Sequence, residues 1–419
     1  MTISYKREIA DQVAEYIDEA VELAKELIEI PTVNPPGDEY EECARLLVSR
    51  AREYGLETTT IRVPEEQLPS LTPFGSTLPR VNVLARWGAG DGPKINVHCH
   101  YDVVPPGAGW SFEPFKGVIR EGRLYGRGAS DMKGALAASL VVAKALKDLR
   151  VRPWGHLIFS FTPDEETGGR AGAEFLLVNG YLKPDMTIIP EPSEVYNIWN
   201  AHKGAIWMKV VLHGRAAHAS RPKEGVNAFE AMVHVVSALM KAKEQLESKT
   251  SAYKSIWGVE KPTINVGGIC SSGSAVNVVP ERASFTIDRR LIPEESMDEV
   301  ESELKRIIDE SAREINVKVD VETLLRAEAS SVSRNAFICE VLSRNVEAVL
   351  GRPPSFTLCP GILDMRHFVR AGVDCVSYGP GLMKTAHARD EYINIDDMST
   401  YMKVLALTVY DVLAQFSPY

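Results

Sequence analysis

The chain has 419 residues, 57 acidic against 47 basic, and a formal net charge of −10. That length exceeds what one hydrophobic core usually supports, so two domains are expected, and an acidic balance without a basic block excludes nucleic acid as a partner. No apolar run approaches a membrane span, and Met1-Thr-Ile-Ser-Tyr-Lys-Arg7 lacks an apolar signal core; with six cysteines in no paired spacing, the chain is expected to be cytoplasmic, its thiols reduced and mostly buried.

Residues 9–30 carry apolar side chains at helical spacing, and Pro31 is expected to stop that helix. A second amphipathic helix is expected over 39–54. Residues 64–80, with four prolines, read as a surface loop. Short apolar runs at 94–97 and 156–161 read as buried strands, and 135–149 as a long helix. This alternation continues through Glu191 and argues for an α/β domain with a mostly parallel sheet and helices on both faces.

The pattern changes near Ala201. Strands are expected at 205–213, 263–269, 283–291 and 317–323, with helices at 225–246 and 296–315. That order is β-α-β-β-α-β, the split unit of ferredoxin-like α+β folds. It reads as a small domain, 204–323, inserted in a larger one made of 1–203 and 324–419. Helices at 336–350 and 396–415 and a strand at 373–378 complete the larger domain.

Candidate chemistry falls just beyond the strands, where ligands bind in open α/β sheets. Glu165 and Glu166 follow the run 156–161 and precede Gly168-Gly169. Two adjacent carboxylates there repel unless a cation holds them. His98-Cys-His-Tyr-Asp102 follows the run 94–97, so Asp102 is spaced to hold the free ring nitrogen of His100. Cys99 should face the other side of the strand. Asp131, in Gly126-Arg-Gly-Ala-Ser-Asp-Met-Lys-Gly134, opens the helix 135–149. Glu191 follows Ile188-Ile-Pro190, and His387 lies in Lys384-Thr-Ala-His-Ala-Arg-Asp-Glu391. The set His100, Asp131, Glu166, Glu191 and His387 mixes imidazole and carboxylate. Such donors suit Zn²⁺, Co²⁺ or Mn²⁺ rather than Ca²⁺ or a thiolate site.

These motifs come in a recognisable order: 100–105, 126–134, 164–169 and 386–391, with Val33-Asn-Pro-Pro-Gly37 and Asn277-Val-Val-Pro280 beside them. The chain resembles the co-catalytic zinc hydrolases that include acetylornithine deacetylase, succinyl-diaminopimelate desuccinylase, aminoacylase and glutamate carboxypeptidase. The resemblance covers roughly residues 20–415. It implies a zinc-peptidase-like catalytic domain with an inserted lid or dimerisation domain. It further implies two divalent metal ions, with Asp131 bridging, His100 and Glu191 completing one, and Glu166 and His387 the other.

Several positions have two readings. Glu165 reads as the general base for the attacking water, or as a further ligand or helix-cap acid. Asp102 reads as the partner of His100 or as a turn former. His98, where relatives carry a small or apolar residue, reads as a buried hydrogen-bonded histidine or as a group with a role at the metal. Asp390 and Glu391 are solvated loop acids or partners of the ligands. By resemblance, His218 stabilises the tetrahedral intermediate across a homodimer; by spacing alone it is an exposed loop histidine. By resemblance, Asn277 and Arg290 hold a substrate carboxylate or oxyanion; Arg290 alternatively makes a cross-strand ion pair. The loop at Gly361 resembles one near the substrate, but Ile362 and Leu363 replace its usual small residues. The expected activity is deacylation of an N-acyl amino acid. A carboxypeptidase or dipeptidase with the same site is the alternative, and a non-catalytic binding protein on a degenerate scaffold the rival class.

Overall fold

The computed structural model describes residues 3–72, 75–246 and 248–413. The chain divides into two compact units. One takes the chain up to Asn200, then Val332–Phe356, then from Leu363 onward; the other is Ala201–Ser331 with Thr357–Ile362.

The first unit is built on a mixed sheet whose centre is parallel. Gly155–Thr162 pairs in parallel with Lys94–His100, which pairs in parallel with Met186–Ile189, which pairs in parallel with Asp374–Ser377. Val81–Ala89 and Glu57–Arg62 extend one side as antiparallel strands, and Asn197–His202 joins the other at Trp199. The parallel strands are buried on both faces, as their continuous apolar runs require. Gly134–Asp148 buries twelve of its fifteen residues, mostly Ala, Val and Leu, so neighbours can approach it closely on every side. It packs against Ile17–Glu29 and Ile395–Leu413.

The helix expected over 9–30 is two helices, Ile3–Ala14 and Ile17–Glu29, broken at Glu15-Tyr16. The break has a packing cause. The first piece lies mainly on Ile395–Leu413 and the second mainly on Gly134–Asp148, and the break lets each follow its own partner. The expected C-terminal helix runs Ile395–Leu413; residues 414 and 415 lie outside the described residues. So do 73 and 74 of the expected loop 64–80.

That loop ends in a buried charge. Arg80 is 0% exposed, and its Nε lies 2.8 Å from Asp164 Oδ2. Its Nη groups donate to the carbonyls of Leu78 and Pro36, each at 2.9 Å, while the Tyr40 hydroxyl donates to Asp164 Oδ1 at 3.0 Å.

The second unit holds an antiparallel sheet in the order Thr263–Ser272, Arg282–Leu291, Gly204–His213, Lys318–Ala327. With helices Ala228–Leu246 and Met297–Glu314, this is the split β-α-β-β-α-β arrangement. Arg282–Leu291 alternates strictly, so Ala283, Phe285, Ile287 and Leu291 enter the core with the helices. Arg289 falls on the same face and is neutralised by Glu295 at 2.6 Å. Ser296 caps the second helix by accepting from the Glu299 amide. Among the described residues no helix is long and apolar enough to cross a membrane. Five of the six cysteines are buried and Cys270 is exposed.

Removing one partner of a buried ion pair strands the other charge. Arg80→Ala is therefore expected to destabilise the protein by ~3–5 kcal/mol in urea unfolding. Arg80→Ala with Asp164→Ala should cost clearly less than the sum of the single changes. Additive costs would show the pair to be uncoupled.

Candidate metal centre

The turn bearing the two adjacent glutamates is a single 3₁₀ turn, Glu165–Thr167, entered through Asp164 at φ 66°. Gly169 follows at φ 65°, with the Asp364 carboxylate where a side chain would begin, so only glycine fits. Asp102 braces the turn from the other side. Its Oδ1 accepts the Glu165 amide and its Oδ2 the Glu166 amide, each at 3.2 Å, and Asn34 Nδ2 donates to Oδ2 at 2.9 Å.

His100 ends its strand. Its Nδ1 lies 3.0 Å from the Asp102 backbone carbonyl and 3.5 Å from the Asp102 carboxylate. The nearer acceptor of the ring is thus the backbone, because the carboxylate is turned to the amides of the glutamate turn. A carbonyl only accepts, so in the neutral ring Nδ1 carries the proton and the Nε2 lone pair is available. That Nε2 points at Asp131 Oδ1, 3.1 Å away. Asp131 sits in the turn before Gly134–Asp148 with φ −131° and ψ 90°. Its Oδ2 lies 3.4 Å from His387 Nε2, which is 3.0 Å from Glu166.

The five expected ligand residues converge in two groups. One ligand atom each from His100, Asp131 and Glu191 fall within 4.8 Å of one another, as do atoms from Asp131, Glu166 and His387. Asp131 belongs to both. Glu165 and His98 belong to neither.

The electrostatics call for a cation. Burial, then the charge on Glu191, pushes the Glu165 carboxyl well above the usual range. Burial also raises Glu166 and Glu191, with the Asp131 charge adding to each. Burial alone would lower the two histidines. Hydrogen bonds to Asp102 and Asp131 instead hold His100 well above the usual histidine range, and Asp131 and Glu166 hold His387 up at about 11. Glu191 Oε1 is buried without a hydrogen-bond partner. Two imidazoles, three carboxylates and an orphaned oxygen fit a pair of borderline divalent ions.

The other expected residues are placed as follows. His98 is buried, with Nδ1 2.8 Å from Ser160 Oγ and Nε2 3.1 Å from Asp364 Oδ2. Asp390 is a loop residue that accepts from the Ser111 amide and hydroxyl. In the second unit, His218 is exposed; Ser220 donates its amide to Nδ1 at 3.1 Å, which leaves the proton of the neutral ring on Nε2. Asn277 lies beside it, its carbonyl accepting the Ala219 amide at 3.0 Å. The Arg290 guanidinium is held by Asp288, two residues back on its own strand rather than across strands, at 2.8 and 3.1 Å. The Gly361 amide donates to Cys359 Sγ at 3.4 Å.

Sequence reasoning missed the residues behind the glutamate turn. Asn34 binds Asp102, Asp164 and Thr167, and its only sequence signal is the 33–37 motif. Asp364, whose acceptor holds His98, lies in the 361–366 segment but carries no local sign of burial. Arg366 and His367 donate to the Gly168 carbonyl at 2.5 and 3.2 Å.

Residues 97–411, more than half of the chain, match the model of peptidase family M20/M25/M40. Acetylornithine deacetylase of Proteus mirabilis is 28% identical over 381 residues, 90% of this chain and 92% of that one. A probable succinyl-diaminopimelate desuccinylase of Staphylococcus aureus is 27% identical, covering 92% and 95%. The crystal structure of human carnosine dipeptidase 1 superposes with a TM-score of 0.76 at 18% identity, over 98% of this chain and 99% of that one, a likeness of fold.

Because the metal-free glutamates and imidazoles, though not Asp131, hold their protons to higher pH than exposed groups, adding Zn²⁺ to metal-free protein at neutral pH should release protons, at least about one per ion. The apparent affinity should fall as pH drops. Calorimetry in buffers of different ionisation enthalpy measures this; binding without proton release would contradict the described electrostatics.

Proposed function

The chain belongs to peptidase family M20/M25/M40, and we propose that it removes the acyl group from an N-acyl amino acid. The family is dinuclear and metal-dependent, and deacylase or peptidase activity is common to its members. The observation that carries the reading is the pair of donor groups sharing Asp131, with the Glu165 turn beside them. Intact donors and an intact candidate base argue against a non-catalytic binding protein.

In this reading His100, Asp131 and Glu191 would hold one ion, and Asp131, Glu166 and His387 would hold the other. When bound, the ions, here read as zinc with cobalt or manganese as alternatives, polarise the scissile carbonyl and acidify the attacking water. Glu165 takes the proton as the water oxygen bonds to the carbonyl carbon. It returns that proton to the departing amine nitrogen as the C–N bond breaks. Without ions, burial and the neighbouring carboxylates hold the Glu165 carboxyl above its usual range; bound cations would lower it and free it to act as the base. Asp102 keeps Glu165 and Glu166 apart in role by fixing both amides.

The acyl-amino-acid substrate rests on the deacetylase and desuccinylase relatives. A comparison of kcat/KM for N-acetyl-ornithine, N-succinyl-diaminopimelate, other N-acyl amino acids and dipeptides tests it. Turnover of dipeptides alone would favour a dipeptidase or carboxypeptidase with the same centre. Glu165→Gln should keep both ions and lose ~10²–10⁴ in turnover. Glu166→Ala should lose metal instead. A near-fully active Glu165→Gln enzyme would overturn the assignment.

The second unit supports a homodimer joined through residues 204–323. Its outer strand, Thr263–Ser272, is an open edge with Ile269 75% exposed, and Ala228–Leu246 exposes Phe229, Val233 and Met240. In that dimer His218 donates from Nε2 to the developing oxyanion in the partner's site, with Asn277 beside it. Arg290 serves a substrate carboxylate only by giving up Asp288, and Gly361 lines the substrate loop. His218→Ala should lower turnover by ~3 kcal/mol in activation free energy without changing metal content. Mixing it with Glu165→Gln chains should restore part of the activity. No rescue in hybrids shown to have formed, or a fully active monomer, would rule out the shared site.

A further inference from the structure

One carboxylate beside the candidate centre takes four donors. Glu391 is fully buried. Its Oε1 accepts the amides of Ser130 at 2.9 Å and Asp131 at 3.0 Å. Its Oε2 accepts the amide of Gly128 at 3.1 Å and Arg127 Nη1 at 2.5 Å. The Glu391 backbone carbonyl accepts the Gly126 amide at 3.0 Å. Arg127 in turn donates from Nη2 to the His387 carbonyl at 3.3 Å. One ion pair therefore ties the turn carrying Asp131 to the loop carrying His387.

The candidate ligands differ in what else holds them. His100 ends a strand inside the parallel sheet, and Glu191 lies two residues past Ile189, the end of its neighbour. Glu166 is braced by Asp102. Asp131 has neither helical nor strand backbone angles, and His387 sits in a loop at φ 60°. For these two, backbone bonds of regular structure are replaced by bonds to Glu391 and Arg127. Buried backbone amides need acceptors, and in the turn at 126–131 Glu391 supplies them to Gly126, Gly128, Ser130 and Asp131.

We propose that Glu391 is a positioning residue that sets the spacing of Asp131 and His387. It thereby controls the affinity of the ion held by Asp131, Glu166 and His387 more than that of the ion held by His100, Asp131 and Glu191. This rests on the two-ion reading above. The second ion draws two of its three ligands from the clasped segments, whereas the first draws one. Partners behind metal ligands commonly contribute 10–100-fold to metal affinity (roughly, across metalloproteins).

The test is a Zn²⁺ titration of metal-free protein by calorimetry with a competing chelator. Glu391→Gln keeps the shape but turns an amide donor toward other donors. It should weaken one of two ions by ~10–100-fold and leave the other near the wild-type value. Anomalous occupancy in crystals at limiting zinc should assign the weakened ion to Glu166 and His387. A lone Arg127 charge is costly to bury, so Arg127→Met combined with Glu391→Gln is the second variant, with the same expected asymmetry. Asp390→Asn, next door but bound among the described residues to Ser111 alone, should leave both affinities unchanged. Equal weakening of both ions, wild-type affinities, or loss of the fold in both variants would mark the clasp as structural and overturn the proposal. A wild-type chain that binds fewer than two ions would instead overturn the reading beneath it.

Discussion

Four carboxyl groups share one buried neighbourhood: Asp131, Glu165, Glu166 and Glu191. Two unit charges ~4 Å apart at an effective dielectric of ~20 repel by ~4 kcal/mol. Two protonated histidines balance only two of the four charges, and burial penalises the rest, so the four acids are not all ionised together. Either protons or cations must enter. The metal-free state takes the first course: the three glutamates are raised and the two histidines protonated, while the histidines beside Asp131 hold that one carboxyl below its usual range. Divalent ions offer the second, and the shared position of Asp131 suits two of them.

The fold brings these groups together at little cost in flexibility. Parallel strands deliver His100, the glutamate turn and Glu191 to the C-terminal ends of neighbouring interior strands, where backbone direction makes their loops converge. Each loop is then tied by a buried polar partner rather than by apolar packing. Asp102 holds the glutamate turn, Arg80 neutralises Asp164 at its entry, and His98 occupies Asp364 at its exit. Each of these partners makes at least one hydrogen bond, but Asp364 Oδ1 is buried without one, and the Asp364 charge adds to the burial and neighbouring charges that raise Glu165 and Glu191.

Local pattern made much of this legible. The parallel centre of the sheet and the split order of the second unit follow from short apolar runs and helical spacing, because both reflect which faces are buried. Four of the five candidate ligands are readable because each ends or follows a strand or opens a helix; His387, in a loop, is readable only from the order of the motifs. What stayed hidden depends on distant partners. Nothing near residue 15 shows that two helical pieces will lie on different helices. Nothing near Arg80 shows that its charge meets Asp164, 84 residues on. Asp102 was readable as a partner of His100, but its turn toward the amides of Glu165 and Glu166 depends on how two loops meet. Glu391 could be weighed only as a loop acid or a partner until the amides of 128–131 were seen around it.

The central claim is that two ions share Asp131. Anomalous diffraction above and below the zinc edge, on crystals grown from zinc-loaded protein, tests it most directly. The account expects two peaks about 3.5–4 Å apart on either side of Asp131, one against His100 and Glu191 and the other against Glu166 and His387. A single peak, or one coordinated by Glu165 or His98, would contradict it.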